Sequence, residues 1–345
     1  MKVLLLLMLF QMLPISVFAL DIQAPSVLES ASKWMPQNTE SFSEGLIELL
    51  EDAALILRPE LSQAVHTGIS VLIVAILISV IKIMFGKENL IAEIAGVVIV
   101  SLLILQSSKS MIILATDTIR ELCSYGKLLF PVMATAMAAH GGVTASAALY
   151  SGTVVLDSFL GSLMSNILIP GIYLFVSAAV AYSATREKLL KRIRDAIKNA
   201  VSWCLKTLLT IFTSYMSITG VVSGTTDAAA LKAAKVTISS VVPVVGGILS
   251  DASESVVLSA GLMKNAAGIY GILAVLALFL EPFLTVAVQY LTLKAVSALC
   301  SVFSEGAITT LAEDFSSAMG LLLAMTGSVC LLLLISTVCF MKGVG

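Results

Sequence analysis

Two carboxylates three residues apart, Asp251 and Glu254, sit with Ser253 and Ser255 in a chain that is otherwise strongly apolar. The stretch around them, Val242–Gly268, reads VPVVGGILSDASESVVLSAGLMKNAAG and lies between apolar runs. One Asp, Lys or Arg at the centre of a membrane-spanning helix costs about 2.5–3.5 kcal/mol on insertion scales. Broken, small-residue backbone survives at membrane depth only where protein packs it or a wet cavity solvates it. The stretch is therefore either a surface loop between spans or a re-entrant, pore-lining hairpin. On the second reading Pro243, Gly246, Gly247, Asp251, Glu254, Lys264 and Asn265 line or shape a polar path.

Other ionisable residues stand inside apolar runs. Glu281 directly precedes Pro282. Proline frees a backbone carbonyl, so a carboxylate facing a bundle there could relay protons or hold a cation. A protonated or locally paired Glu at a kink gives the same pattern. Asp157 and Glu93 lie nearer the ends of their runs, which suits structural roles, and Lys206 is placed to snorkel. His66 and His140 have no second His or Cys at ligand spacing, so neither a metal site nor a cofactor is expected. Five cysteines form no CxxC and read as small packing residues. No Walker A, nucleophile elbow or catalytic carboxylate pair appears, which argues against an enzyme. No basic face interleaved with aromatics supports nucleic-acid binding.

The elements that position these residues are set by composition. Over 345 residues the chain is 58% hydrophobic and 12% charged, with a mean hydropathy of +1.03. Soluble domains carry about 25% charged residues, so this is an integral membrane protein. Residues 1–19 read as a signal peptide: Lys2, an apolar core, then Val17-Phe18-Ala19. Residues 20–64 form a short acidic extracytoplasmic segment. Within it Phe42, Leu46, Leu49, Leu50, Ala53 and Leu57 recur at helical spacing until Arg58-Pro59. Residues 65–345 form a polytopic membrane domain. Its spans start near Val65, Leu90, Ile167, Ala200, Ala266 and Ala318, and a polar loop carries Asp117, Arg120, Glu121 and Lys127.

Charge decides how these spans are threaded. Arg186–Lys198 holds six basic residues against two acids, and Leu189, Ile193 and Ile197 fall four apart. This is a basic amphipathic helix that belongs on the cytoplasmic side. It reaches that side if Pro131–Asn166 dips in and returns, and the same device at 243–265 places Lys294 inside. The expectation is an all-α fold of about six transmembrane helices with two re-entrant or broken small-residue hairpins. Pro131 and Pro170 are 39 residues apart, as are Pro243 and Pro282, which suggests parallel repeats at 90–200 and 202–312.

The run PVVGGILSDASE at 243–254, followed by KNAAG at 264–268, resembles the stage III sporulation protein AE family. The resemblance runs from about residue 45 to the C-terminus and is most specific over Ala228–Gly268. It implies a multi-pass protein of the mother-cell membrane facing the forespore, without catalysis of its own. It further implies assembly with other products of its operon, including ring-forming proteins and an ATPase, in a transenvelope channel. Membrane lipid is the other expected partner, and self-association stays open. The rival class is a stand-alone ion-coupled secondary transporter, with Glu281 and Asp157 as its coupling groups.

Overall fold

Buried apolar residues recur every three or four positions along each long segment, and the chain answers with helices. The computed structural model describes residues 42–85, 90–139, 143–218, 266–303 and 306–342, and every regular element among them is helical. In chain order these are α1 (Phe42–Phe85), α2 (Leu90–Ala139), α3 (Val143–Leu163), a π-helical turn (Met164–Leu168), α4 (Ile169–Thr185), α5 (Lys188–Ile218), α6 (Ala266–Phe303) and α7 (Ala307–Lys342). The signal-peptide segment, the tip at His140 and the whole of 219–265 lie outside the described residues. Residues 219–265 of the second copy of the repeat therefore fall outside them too.

Several expected breaks are continuous helix. Arg58-Pro59 does not end the first helix; α1 carries Pro59 in its interior and joins the acidic amphipathic stretch to the first span. Proline removes one hydrogen bond, and Pro59 is exposed, where solvent can serve the freed carbonyl. The polar stretch at 117–127 is not a loop but the middle of α2. Ile112, Ala115, Ile119, Leu122 and Phe130 form its buried stripe, while Asp117 and Arg120 pair at 3.6 Å on the exposed side. Pro131 is likewise inside α2, and Pro282 inside α6. The first small-residue hairpin is thus a helical hairpin. Its arms are the end of α2 and a rod of α3, π-turn and α4 that continues to Thr185. The basic amphipathic stretch and the apolar run after it are also one helix, α5.

The packing has a centre. α7 runs through the middle of the bundle, with Leu322, Met325, Leu333 and Phe340 fully buried. α6 and α2 lie against it, α1 packs on α6, and α5 is outermost on α4. α5 buries Val201, Leu205, Leu208 and Phe212, spaced four, three and four apart, and presents Lys206, Thr210 and Thr213 outward. Tyr215 of α5 fills the space beside Gly152 of α3, so a side chain at 152 would collide with the ring.

Five helical stretches are long and apolar enough to cross a membrane: Gly45–Phe85, Ile91–Ala134, Tyr150–Thr185, Gly271–Val302 and Ala307–Phe340. α5 runs alongside α4 and is not among them; its outward face mixes Lys206, Thr210 and Thr213 with Trp203 and Ile211. Exposed apolar side chains form a belt, with Ile69–Phe85 on α1, Ile91–Leu105 on α2, Leu174 on α4 and Leu291–Val302 on α6. A continuous apolar surface of this size belongs in lipid. Beyond the belt the helices stay packed: the Tyr125 hydroxyl donates to the Gly271 carbonyl at 3.4 Å, and Phe130 meets Phe340 with ring centroids 6.0 Å apart.

Candidate functional site

Six helix ends meet at one end of the bundle, and Glu93 ties four of them. Its carboxylate accepts from Lys82 of α1 at 3.0 Å and Arg186 at 2.9 Å, and from the backbone N–H of Ala307 at 3.1 Å. That N–H is one of the unpaired donors at the start of α7, so the carboxylate also caps a helix. Nearby, Arg194 of α5 donates to Asp314 of α7 at 2.9 Å and to Asp195 at 2.7 Å, and its guanidinium lies over the Tyr182 ring. Burial alone would lower the pKa of Arg194, but the hydrogen bonds and charges of Asp195 and Asp314 outweigh it and hold the value above normal. Lys198 donates to Ser317 at 2.9 Å, and Lys294 faces Glu313 at 3.6 Å. Glu93 thus sits where four helix ends meet, and the basic helix shares its end of the bundle with Lys82 and Lys294.

A polar cleft of about 740 Å³ opens between α1, α2 and α6. α1 contributes Glu60, Gln63, His66 and Thr67; α2 contributes Gln106, Ser107 and Ser110; α6 contributes Thr285 and Gln289. The Gln289 amide donates to Ser107 Oγ at 3.1 Å, joining two walls. Ser107 lies 14 residues from Glu93, roughly 21 Å along α2. That is the margin of the apolar belt farther from the basic end. The lining offers hydroxyls, amides, one carboxylate and one imidazole, so it can hydrate an ion or hydrogen-bond a polar solute. Among the described residues no group of three His, Cys, Asp or Glu could hold a metal.

Glu281 is half-buried one turn beyond Thr285 on the same face of α6, and it has no hydrogen bond or ion pair with the described residues. Asp157 is buried elsewhere, between α2 and α3. The structure thus does not unite Glu281, Asp157 and Glu93; they occupy three separate places. Pro243, Gly246, Gly247, Asp251, Glu254, Lys264 and Asn265 all lie outside the described residues. Gln63, Thr67, Thr285 and Gln289 escaped the sequence reading. Their signal was present: Glu281, Thr285 and Gln289 are polar at i, i+4 and i+8 inside an apolar run.

A helical bundle with an outward apolar belt, an ion-paired end and a polar cleft at the belt's margin is a polytopic integral membrane protein. The chain belongs to the stage III sporulation protein AE family, whose model matches residues 32–343. It is similar to the stage III sporulation protein AE of Bacillus subtilis (strain 168), with 24% identity over 253 residues. That alignment covers 72% of this chain and 63% of the relative, less than two thirds of the relative's length. No solved structure matches the chain. Membership of this family fits a role in sporulation.

Proposed function

We propose that the protein is a membrane component of a channel complex joining mother cell and forespore, seated in the mother-cell membrane and needed for forespore development. The family match over 32–343 carries this reading. The polar cleft supports it, because it gives the membrane domain a hydrophilic recess where a path or a partner can engage. Its partners are the ring-forming and ATPase products of the same operon, together with membrane lipid. The basic end faces the cytoplasm by the positive-inside rule, so the N-terminal end of α1 is exported. No catalysis is assigned to it.

The orientation is testable with single cysteines placed on exposed positions. Cys123 and Cys300 are too buried to report topology, but Ser124 and Lys188 are exposed at opposite ends. In a background lacking native cysteines, an impermeant maleimide should label Ser124→Cys in intact cells and Lys188→Cys only after lysis. The reverse pattern would invert the protein. Capture of the tagged chain from sporulating cells should bring down the other operon products, and capture of the chain alone would remove the complex.

One feature favours a coupled transporter: Glu281 has no partner among the described residues and stands one turn from the cleft. Glu281→Gln separates the two readings. In a channel component it leaves development largely intact, whereas deletion of the gene arrests it after engulfment. Arrest by Glu281→Gln at normal protein levels would favour the transporter.

A further inference from the structure

A second polar recess lies between α2 and the rod of α3 and the π-turn, with a volume of about 350 Å³. Asp157 lines it beside Cys123 and Gly161; it is 5% exposed and makes no hydrogen bond or ion pair with the described residues. One turn earlier Thr153 is also buried, and its hydroxyl has no partner among the described residues. Buried polar groups left this way are rare, and one that faces a recess points to a ligand. Arg120 and Lys127 of α2 stand exposed at its edge, and Arg120 also leans toward Asp117 at 3.6 Å. The other wall carries Ser158, Ser162 and Asn166, with Asn166 donating to Ser162 at 3.1 Å. The π-turn Met164–Leu168 keeps Met164 and Leu168 buried while Asn166 stays on the recess. Inserted turns of this kind recur at functional sites.

Charge fixes the class of ligand. A bare cation would satisfy Asp157 but sit against two positive side chains. A bare anion would suit Arg120 and Lys127 but face a buried carboxylate. Lys127 already lies within electrostatic range of Asp157 and Arg120 leans on Asp117, so a molecule bearing both charges, a few ångströms apart, can meet each group without stripping either of an opposite charge. Arg120 is 27 residues from Glu93, roughly 40 Å along α2. A bilayer has a hydrocarbon core of about 30 Å and a full thickness of about 40–45 Å, so the recess lies at headgroup level.

We propose that this recess binds an amine-bearing zwitterion, with its ammonium on Asp157 and its carboxylate or phosphate on Arg120 and Lys127. A free amino acid and an aminophospholipid headgroup share that chemistry. The test uses the purified full chain in nanodiscs of phosphatidylglycerol, titrated with L-alanine, and in parallel nanodiscs containing phosphatidylethanolamine, with retained lipid measured by native mass spectrometry. Binding of L-alanine identifies a free solute; selective retention of phosphatidylethanolamine identifies a headgroup. In either case acetate and ethylamine alone should not compete, and Asp157→Asn should weaken binding about tenfold or more. Lys127→Gln changes only an exposed edge position and should weaken the same ligand, so it carries the test if Asp157→Asn fails to accumulate. Absence of binding by both probes, or unchanged binding in both variants, overturns the proposal.

Discussion

At the basic end Glu93 accepts from three donors supplied by different segments, whereas Glu281, 22 residues from the end of α6 and roughly 33 Å away, has none among the described residues. Arg194 and Asp314 repeat the first pattern and Asp157 the second. Where six helix ends converge, charge holds helices in register. In the opposite half, Glu281 and Asp157 stand near polar recesses with no hydrogen bond or ion pair among the described residues, although Lys127 acts on Asp157 from across its recess. A buried carboxyl with no hydrogen-bond partner is held neutral or by a distant charge, so it adds little to stability.

The most severe test of this contrast removes one side of the buried pair. Arg194→Leu leaves Asp314 uncompensated in the bundle and should cost about 3–5 kcal/mol. In detergent this would appear as a large fall in the unfolding temperature or as failure to accumulate. Adding Asp314→Leu should recover most of the loss, because an apolar pair replaces an ion pair at little cost. A single Arg194→Leu variant as stable as the wild type would dissolve the distinction between the two halves.

Glu93→Gln is milder. The amide oxygen can still accept from Ala307 and Arg186, but the NH2 that replaces the other oxygen cannot accept from Lys82, and the site is partly exposed. A loss of about 1–2 kcal/mol is expected by thermal unfolding. Glu281→Gln, at a position without partners among the described residues, should fall within about 0.5 kcal/mol of wild type in the same assay. Lys294→Gln marks the lower limit. Its contact with Glu313 is solvent-exposed on both sides, so it should also cost about 0.5 kcal/mol or less, shrinking further in salt. A larger effect there would mean that the basic end is coupled more widely than its contacts indicate.

Much of this fold was legible as apolar length, since runs such as Ala318–Met341 fit nothing but a membrane or a central helix. What misled was local polarity. Asp117, Arg120, Glu121 and Lys127 read as a loop because four charges in eleven residues interrupt an apolar segment. They are helical because Ile119 and Leu122 between them continue the buried stripe. Pro59 and Pro131 read as boundaries and Pro282 as a kink, yet each removes only one hydrogen bond from a helix that tertiary packing holds. The site was less legible than the fold. Gln106-Ser107 was visible as an anomaly, but only three-dimensional proximity joins it to His66 and to Gln289, more than two hundred residues beyond His66. The pairing of Glu93 with Lys82 and Arg186 was hidden for the same reason.

The helix α2 is far too long for a bilayer alone. Its 50 residues rise roughly 75 Å, more than twice the hydrocarbon core. The part beyond Asp117 is not a frayed end: Tyr125 bonds to α6, and Phe130 stacks with Phe340 of α7. Ile272 through Phe279 are buried in that same region. The helices therefore stay packed on one another well past one hydrocarbon thickness, and this far part also exposes apolar side chains such as Val132, Val155 and Phe159. Anything docking on that side meets helices already locked to one another, so it engages a preformed surface and pays little to order it.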